Sequence, residues 1–476
     1  MDPLTERALA GPLLDTVAKA ATPYLSELDD RLVADPGAAP LLAELRQPLP
    51  EDGLGGTDTV EELLRVGTAA ATHSAGPRFF HFVVGGTTPA ATAADWVASL
   101  LDQNAGLWTS SPLATTLETV ALGWCKDLFG LPDEWGGVLT PSATFANLTG
   151  LAAARHWWAG RHGRDVTADG LAGLPTMPVL AGGYVHPSVR KALQILGVGR
   201  DTMRVFSRDD AGRVDLDAME RELAGLDGPA VLVACAGEVN AGDFDPIEAM
   251  ADLAERYGCW LHVDGAFGLF AAVSPRTAHL VRGVERAHSV AADAHKWLNV
   301  PFESGFAFVR ESRALHATFG GWGVPYLVSM DEREIDYNQL GPESSRRARA
   351  LPIWATLRAY GRAGHRAMVE RHLDLAAHLG RLVEAAPDLE LLAPVQLCVV
   401  CFRYRPPGVP EDRLDELNAT LGRALLADGR VYAGTTVYRG QTALRPAIVN
   451  WRTTETDIEL LVDVVRELGA LGTLSA

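Results

Sequence analysis

The chain is poor in cysteine, has no excess of positive charge and carries no long apolar run. Five cysteines in 476 residues (Cys125, Cys235, Cys259, Cys398 and Cys401) are too few and too scattered for a disulfide scaffold, so a reducing compartment fits them. With 42 Lys+Arg against 60 Asp+Glu the net charge is −18, which repels nucleic acid and anionic membrane surfaces. A basic-patch binder is excluded. No uninterrupted apolar stretch approaches the ~20 residues of a membrane helix. The first twenty residues hold acids and no apolar run of the kind a secretory signal needs. The expectation is a soluble cytoplasmic protein that engages neither nucleic acid nor membrane. What is present is a globular composition, 47% hydrophobic and 21% charged with 11 Trp and 14 Phe, far from the signature of disorder.

The length allows about three domains at roughly 150 residues each. Residues 1–75 alternate helical runs with Pro/Gly breaks and read as a helical arm or cap. Over 76–346, short apolar strands (177–180, 230–235, 260–263, 305–309) alternate with helical stretches such as 248–257. That alternation predicts an α/β domain with a mainly parallel central sheet flanked by helices, whose ligands sit beyond the strand C-termini. Residues 347–476 offer a long amphipathic helix (352–385), a strand run (396–404) and a final helix (455–468), a small C-terminal α+β domain.

Cys398 and Cys401 form a Cys-x-x-Cys, but in an apolar, strand-like run, where positions three apart face opposite ways. Core packing is the expectation. His81, His156 and His295 lack metal-ligand spacing, so no metal site is expected.

The strongest chemistry lies in residues 289–301, where Lys296 follows His295 amid Ala, Val, Trp and Leu. Burying a lysine there favours the neutral amine, which a nucleophilic lysine requires. Thirty-two residues earlier an apolar strand ends in Asp264-Gly265-Ala266, placing an acid where ligands bind. It could hold a proton on a pyridine nitrogen, or merely cap a helix. Small hydroxyl residues in 140–147 precede a helix at 148–158, an arrangement able to hold a phosphate and equally able to be ordinary capping. His186, where a strand gives way to a helix, could stack on a flat ring.

In this order the four segments resemble the group II pyridoxal-phosphate-dependent decarboxylases, which include the aromatic-L-amino-acid, histidine, glutamate and diaminobutyrate enzymes. The resemblance extends to residues 77–82, Ser111-Pro112 with Leu117-Glu118, Phe244-Asp245-Pro246, the 345–349 stretch and Leu444-Arg445. It implies a fold-type-I, pyridoxal 5′-phosphate-dependent enzyme, working as a homodimer on a small amino-acid substrate or an amino-acid conjugate. By the same resemblance Lys296 links to the cofactor, Asp264 pairs with the pyridine nitrogen, and His186 and Ala266 cover the two ring faces. Ser142 and Ala143 form the phosphate turn, and Asp293 and His295 are the lysine's neighbours. Tyr326 is the proton donor to the substrate carbon, Phe82, Val83 and Gly85 the substrate stretch, and Trp108 part of a segment reaching the partner's site.

The chain also departs from the family pattern. Phe145 stands where an acid is usual, Pro352 where a lysine is common, and Glu238 where a threonine borders the cofactor. A carboxylate at 238 could act as a base or bind a cationic group. The expected product is an amine. The alternatives are decarboxylation with oxidative deamination to an aldehyde, C–S β-elimination on an S-cysteine conjugate as in lincosamide pathways, and, less favoured, aminotransfer.

Overall fold

The computed structural model describes residues 2–321 and 334–474. Seven short apolar runs build the central sheet: β1 Gly136–Thr140, β2 Val179–Ala181, β3 Met203–Val205, β4 Val231–Cys235, β5 Trp260–Asp264, β6 Ser289–Asp293 and β7 Gly305–Val309. Their order is β1-β7-β6-β5-β4-β2-β3, and β7 alone runs against its neighbours. Every residue of β4 to β7 is buried, as expected of strands covered on both faces.

The two-residue period of the strands divides the core. Val231 and Val233 of β4 join the apolar cluster under helices Ala143–Arg161 and Pro187–Ile195, while Leu232 and Ala234 join the one under Pro112–Phe129 and Ile247–Tyr257. In-register pairing of Cys235 with Asp264, and of Asp264 with Ala291, brings the C-terminal ends of β4, β5 and β6 to one edge.

A second sheet, order β10-β11-β9-β8, is antiparallel: β8 Leu389–Leu391, β9 Phe402–Tyr404, β10 Thr435–Tyr438 and β11 Gln441–Leu444. The two-residue turn between β10 and β11 holds Arg439 and Gly440 at φ 52° and 78°, the left-handed geometry such hairpins demand. The expected strand over 396–404 shrinks to three residues. Before Phe402 the pairing is reduced to an isolated bridge of Val399 with Ala447: Val400 donates its N–H to the carbonyl of Pro446, and proline has no N–H to return. Cys398 and Cys401 are nonetheless buried and unpaired, and they belong to separate apolar clusters. The long helix runs over Ala350–Ala385 but breaks at Gly361, whose φ of 61° and ψ of −176° leave the helical region.

In the N-terminal stretch, helix Ala10–Glu27 buries no residue and helix Gly56–Ala70 only Val66. Among the described residues no helix is long and apolar enough to cross a membrane.

Candidate active site

Lys296 rides a one-turn helix, Ala294–Trp297, that leaves the end of β6. The lysine is less isolated than its apolar segment suggests. Its Nζ is 3.4 Å from Asp293 Oδ2 and 5.9 Å from the centre of the Phe267 ring. Asp293 works in two directions, since its other oxygen accepts the Ala143 N–H at the start of helix Ala143–Arg161. His295 Nε2 lies 3.5 Å from the same carboxylate, and its ring stacks 4.3 Å from Phe302. Burial holds the His295 ring below the ordinary histidine range, against the pull of Asp293.

The backbone around the lysine is tied to the rest of the chain. Asn299, at φ 58°, donates from Nδ2 to the carbonyls of Trp297 (2.9 Å) and Val449 (3.0 Å) and accepts the Trp451 N–H on Oδ1 (2.9 Å). Trp297 Nε1 donates to His372 Nδ1 at 2.8 Å, which leaves His372 Nε2 to donate to the Asn450 carbonyl at 2.9 Å. Gly85 donates its N–H to the His295 carbonyl at 3.2 Å. A Cβ there would stand 1.8 Å from the Lys296 carbonyl oxygen. Position 85 therefore offers backbone contact with the lysine loop and no pocket side chain.

His372 is fully buried, and burial lowers its pKa to about 3. A histidine depressed from 6.5 stabilises the fold above pH 6.5 and loses that contribution as pH falls toward 3. Replacing His372→Gln keeps both hydrogen bonds without the titration. The pH slope of stability between 6.5 and 4 should then flatten by about 1.4 kcal/mol per pH unit. Denaturant melts across that range measure it, and an unchanged slope would refute the neutral-histidine assignment. The comparison is made against the parent because Asp245, pushed up to about 7 by burial, titrates with the opposite sign in the same window.

Asp264 ends β5 and is 4% exposed; Oδ1 accepts the Ala266 N–H (3.2 Å) and Oδ2 accepts from Asn147 Nδ2 (3.0 Å). His186 caps helix Pro187–Ile195, its Nδ1 2.7 Å from Ser188 Oγ and 3.2 Å from the Ser188 N–H, with the ring otherwise open. Ser142 is the N-cap of helix Ala143–Arg161, but its hydroxyl makes no capping bond. With Ala143 engaged by Asp293, the N–H groups of Thr144 and Phe145 have no partner among the described residues. A positive helix end with two unpaired N–H groups, beside a lysine, fits a phosphate and a carbonyl-bearing cofactor.

Glu238 is buried, yet its carboxylate turns onto its own loop. Oε1 accepts the Asn240 N–H at 2.9 Å and Oε2 the Ala241 N–H at 2.8 Å. Burial raises its pKa, opposed by those two N–H groups and by Arg445. The carboxylate that could act as a base or bind a cationic group also closes a turn. Phe82 (φ 58°) is 56% exposed, with its ring 3.8 Å from His81, whereas Val83, Phe79 and Phe80 are core. Trp108 is half-buried, its N–H held by Asp336 Oδ1 at 2.9 Å, and no hydrogen bond or ring contact joins it to the Lys296 cluster. Tyr326 lies outside the described residues.

Three groups escaped the sequence reading: Asn147, His262 and His372. Asn147 ends the hydroxyl-rich stretch 140–147 but carries no hydroxyl itself. His262 had a signal, because two residues before Asp264 on one strand it faces the same side.

Residues 45–405 match the family model described as the pyridoxal-dependent decarboxylase conserved domain. An aromatic-L-amino-acid decarboxylase of Bacillus atrophaeus is 28% identical, covering 90% of this chain and 88% of that protein. Tryptophan decarboxylase 1 of Oryza sativa subsp. japonica is 30% identical, with coverage of 82% and 80%. The solved structure of Oryza sativa TDC with PLP and tryptamine superposes with a TM-score of 0.89 at 27% identity, covering 99% of each chain.

Proposed function

The chain belongs to the pyridoxal-dependent decarboxylase family, and from that premise we propose that its substrate is an aromatic L-amino acid, that Lys296, Asp264 and His186 hold the cofactor, and that two copies form the working enzyme. It is a pyridoxal-phosphate-dependent carboxy-lyase that converts an amino acid to an amine. The observation that carries the assignment of residues is the convergence of Lys296, Asp293, Asp264 and the helix end at Ala143 on one edge of the sheet. Bound pyridoxal phosphate supplies the electron sink for the pair left behind when carbon dioxide departs.

The protein's own groups do the rest. Lys296 supplies the amine, and Asp293 holds that amine near the phosphate-binding helix end. Asp264, acceptor-only when ionised, is aimed by two N–H donors and so can keep a proton on a facing nitrogen. Tyr326 donates the proton that the substrate carbon takes up, the step that makes an amine. An aromatic side chain is supported by the exposed rings of Phe82 and Phe302, each 56% open, the first packed against His81 and the second against His295 beside the lysine.

The test is the holoenzyme incubated with tryptophan, tyrosine, phenylalanine and S-cysteine conjugates, with carbon dioxide, amine, ammonia and peroxide measured in parallel. Amine and carbon dioxide in equal amounts from an aromatic substrate are expected, and Tyr326→Phe should lose about 10²- to 10⁴-fold in amine formation. Aldehyde with ammonia and peroxide from the parent enzyme would overturn the amine assignment.

The dimer reading rests on the arm. Leu14 (53% exposed) and Leu25 (39%) on its first helix and Leu63 (61%) on its last lie open. Covering each fully would gain roughly 1.5–3 kcal/mol. Light scattering of the holoenzyme should give twice the 50.9 kDa chain mass. A fully active monomer would end this reading.

A further inference from the structure

Behind the candidate site runs a chain of buried polar groups whose proton directions follow from one member. Trp260 Nε1–H can only donate, and it donates to Ser289 Oγ at 2.9 Å. The Ser289 oxygen keeps its own proton for its other neighbour, His262 Nδ1, at 2.8 Å, once that ring is protonated on Nε2. His262 then carries its proton on Nε2 and donates to Asn147 Oδ1 at 2.8 Å. With its oxygen turned to His262, Asn147 points both amide hydrogens forward, one to Asp264 Oδ2 (3.0 Å) and one to Ser188 Oγ (3.1 Å). Ser188, accepting from Asn147, donates to His186 Nδ1 at 2.7 Å. The direction is set at the Asp264 end: a carboxylate only accepts, so Asn147 turns its amide hydrogens to Asp264 and its oxygen to His262, which must then donate from Nε2.

The series is built into the packing. Asn147, His262 and Ser289 are fully buried, and Trp260 is 4% exposed. One helical turn beyond Asn147, a Cβ on Gly150 would come within 2.9 Å of the His262 ring, so the helix leaves room for that ring. Burial also lowers the His262 pKa to about 4, consistent with a neutral ring. Reversing the Asn147 amide would set its oxygen against the Asp264 carboxylate.

We propose that Asn147 is a positioning residue, oriented by Trp260, Ser289 and His262, that aims the Asp264 carboxylate and turns the Ser188 hydroxyl to His186, whose Nδ1 also accepts the Ser188 N–H and so leaves the ring protonated on Nε2. This rests on Asp264 and His186 facing the cofactor as proposed above. Its consequence is twofold: the Asp264 carboxylate is directed, and the His186 ring presents N–H on its far edge.

The experiment compares Asn147→Leu, His262→Leu, His262→Gln and Asp264→Asn. Two quantities are read: the affinity of the apoenzyme for pyridoxal phosphate by absorbance titration, and the pH midpoint of the bound cofactor's absorption band. Glutamine at 262 can donate to Asn147 and accept from Ser289, whereas leucine can do neither. Losing a hydrogen bond to a charged group corresponds to a loss of about tenfold or more. Asn147→Leu and His262→Leu should therefore bind the cofactor about tenfold more weakly or worse and move the band's midpoint by about one pH unit, and His262→Gln should restore both. If His262→Leu lowers thermal stability but leaves affinity and midpoint within twofold of the parent, the series only packs the core and the proposal falls. It falls equally if His262→Gln behaves as His262→Leu does. Should the leucine variants not fold, Ser289→Ala keeps the ring and removes the hydroxyl that donates to its Nδ1; an unmoved midpoint there refutes the relay from Ser289 to Asp264. Failure of the underlying reading is distinct, since Asp264→Asn would then leave the band's titration unmoved.

Discussion

Replacing Lys296→Ala abolishes turnover and the borohydride-fixed cofactor adduct while leaving the protein folded. The loss should exceed about 10⁴-fold, the upper end of what one proton-transferring group contributes, because the same amine also supplies the covalent attachment. The fold should survive, since Asp293 keeps the Ala143 N–H as a partner and Lys296 contributes a side chain that is 19% exposed. Peptide mapping after reduction is decisive, because the only other lysines are Lys19, Lys126 and Lys191. Lys19 and Lys191 are exposed, and Lys126 is held by the carbonyls of Asp133 and Trp135. A label on any of the three would sink the assignment.

Glu118→Ala is expected to be the most damaging change away from the site. The Glu118 and Arg346 side chains are 1% and 2% exposed, and two guanidinium nitrogens meet the two carboxylate oxygens at 2.7 and 3.2 Å. Arg346 also donates to the carbonyls of Leu139 (2.7 Å) and Ala105 (3.2 Å), while the Leu139 N–H donates to Glu118 (2.9 Å). Removing the acid leaves a buried guanidinium without a counter-charge, a loss of about 3–5 kcal/mol. That is a large share of the ~5–15 kcal/mol by which folded proteins are stable. The denaturation midpoint of the alanine variant should fall sharply, while the paired replacement Glu118→Leu with Arg346→Met should fall less than either single change. A midpoint within 1 kcal/mol of the parent for Glu118→Ala, on the order expected of an exposed pair, would contradict the buried-pair assignment. The effect would reach the site, because Leu139 lies on β1, three residues before the Ser142 turn.

The sequence by itself determined the architecture of the large sheet and the edge at which chemistry gathers. Apolar runs such as 231–235 and 260–263 are buried on both faces, so their side-chain composition alone specifies them as central strands, and Asp264, which ends the second, falls at the ligand-binding edge. The strand-end position of Asp264, on which the proposed site draws, was legible for this reason. The strand expected over 396–404 was not, because a ladder depends on what lies opposite, and Pro446 is 46 residues from Val400 along the chain.

Tertiary structure alone decided which groups hold the reactive ones in place. Asn147 meets His262 and Asp264 across separations of 115 and 117 residues, and Asn299 meets Val449 across 150. Glu238 was visible as a departure from its family, yet only the fold of its loop shows the carboxylate spent on two backbone N–H groups. Gly85 could be read as a pocket position until the Lys296 carbonyl was placed against it. Periodicity records which face of an element is buried, because burial acts on every turn or pleat alike. The direction of a single hydrogen bond between distant side chains repeats nowhere along the chain, so it is settled only when the elements pack.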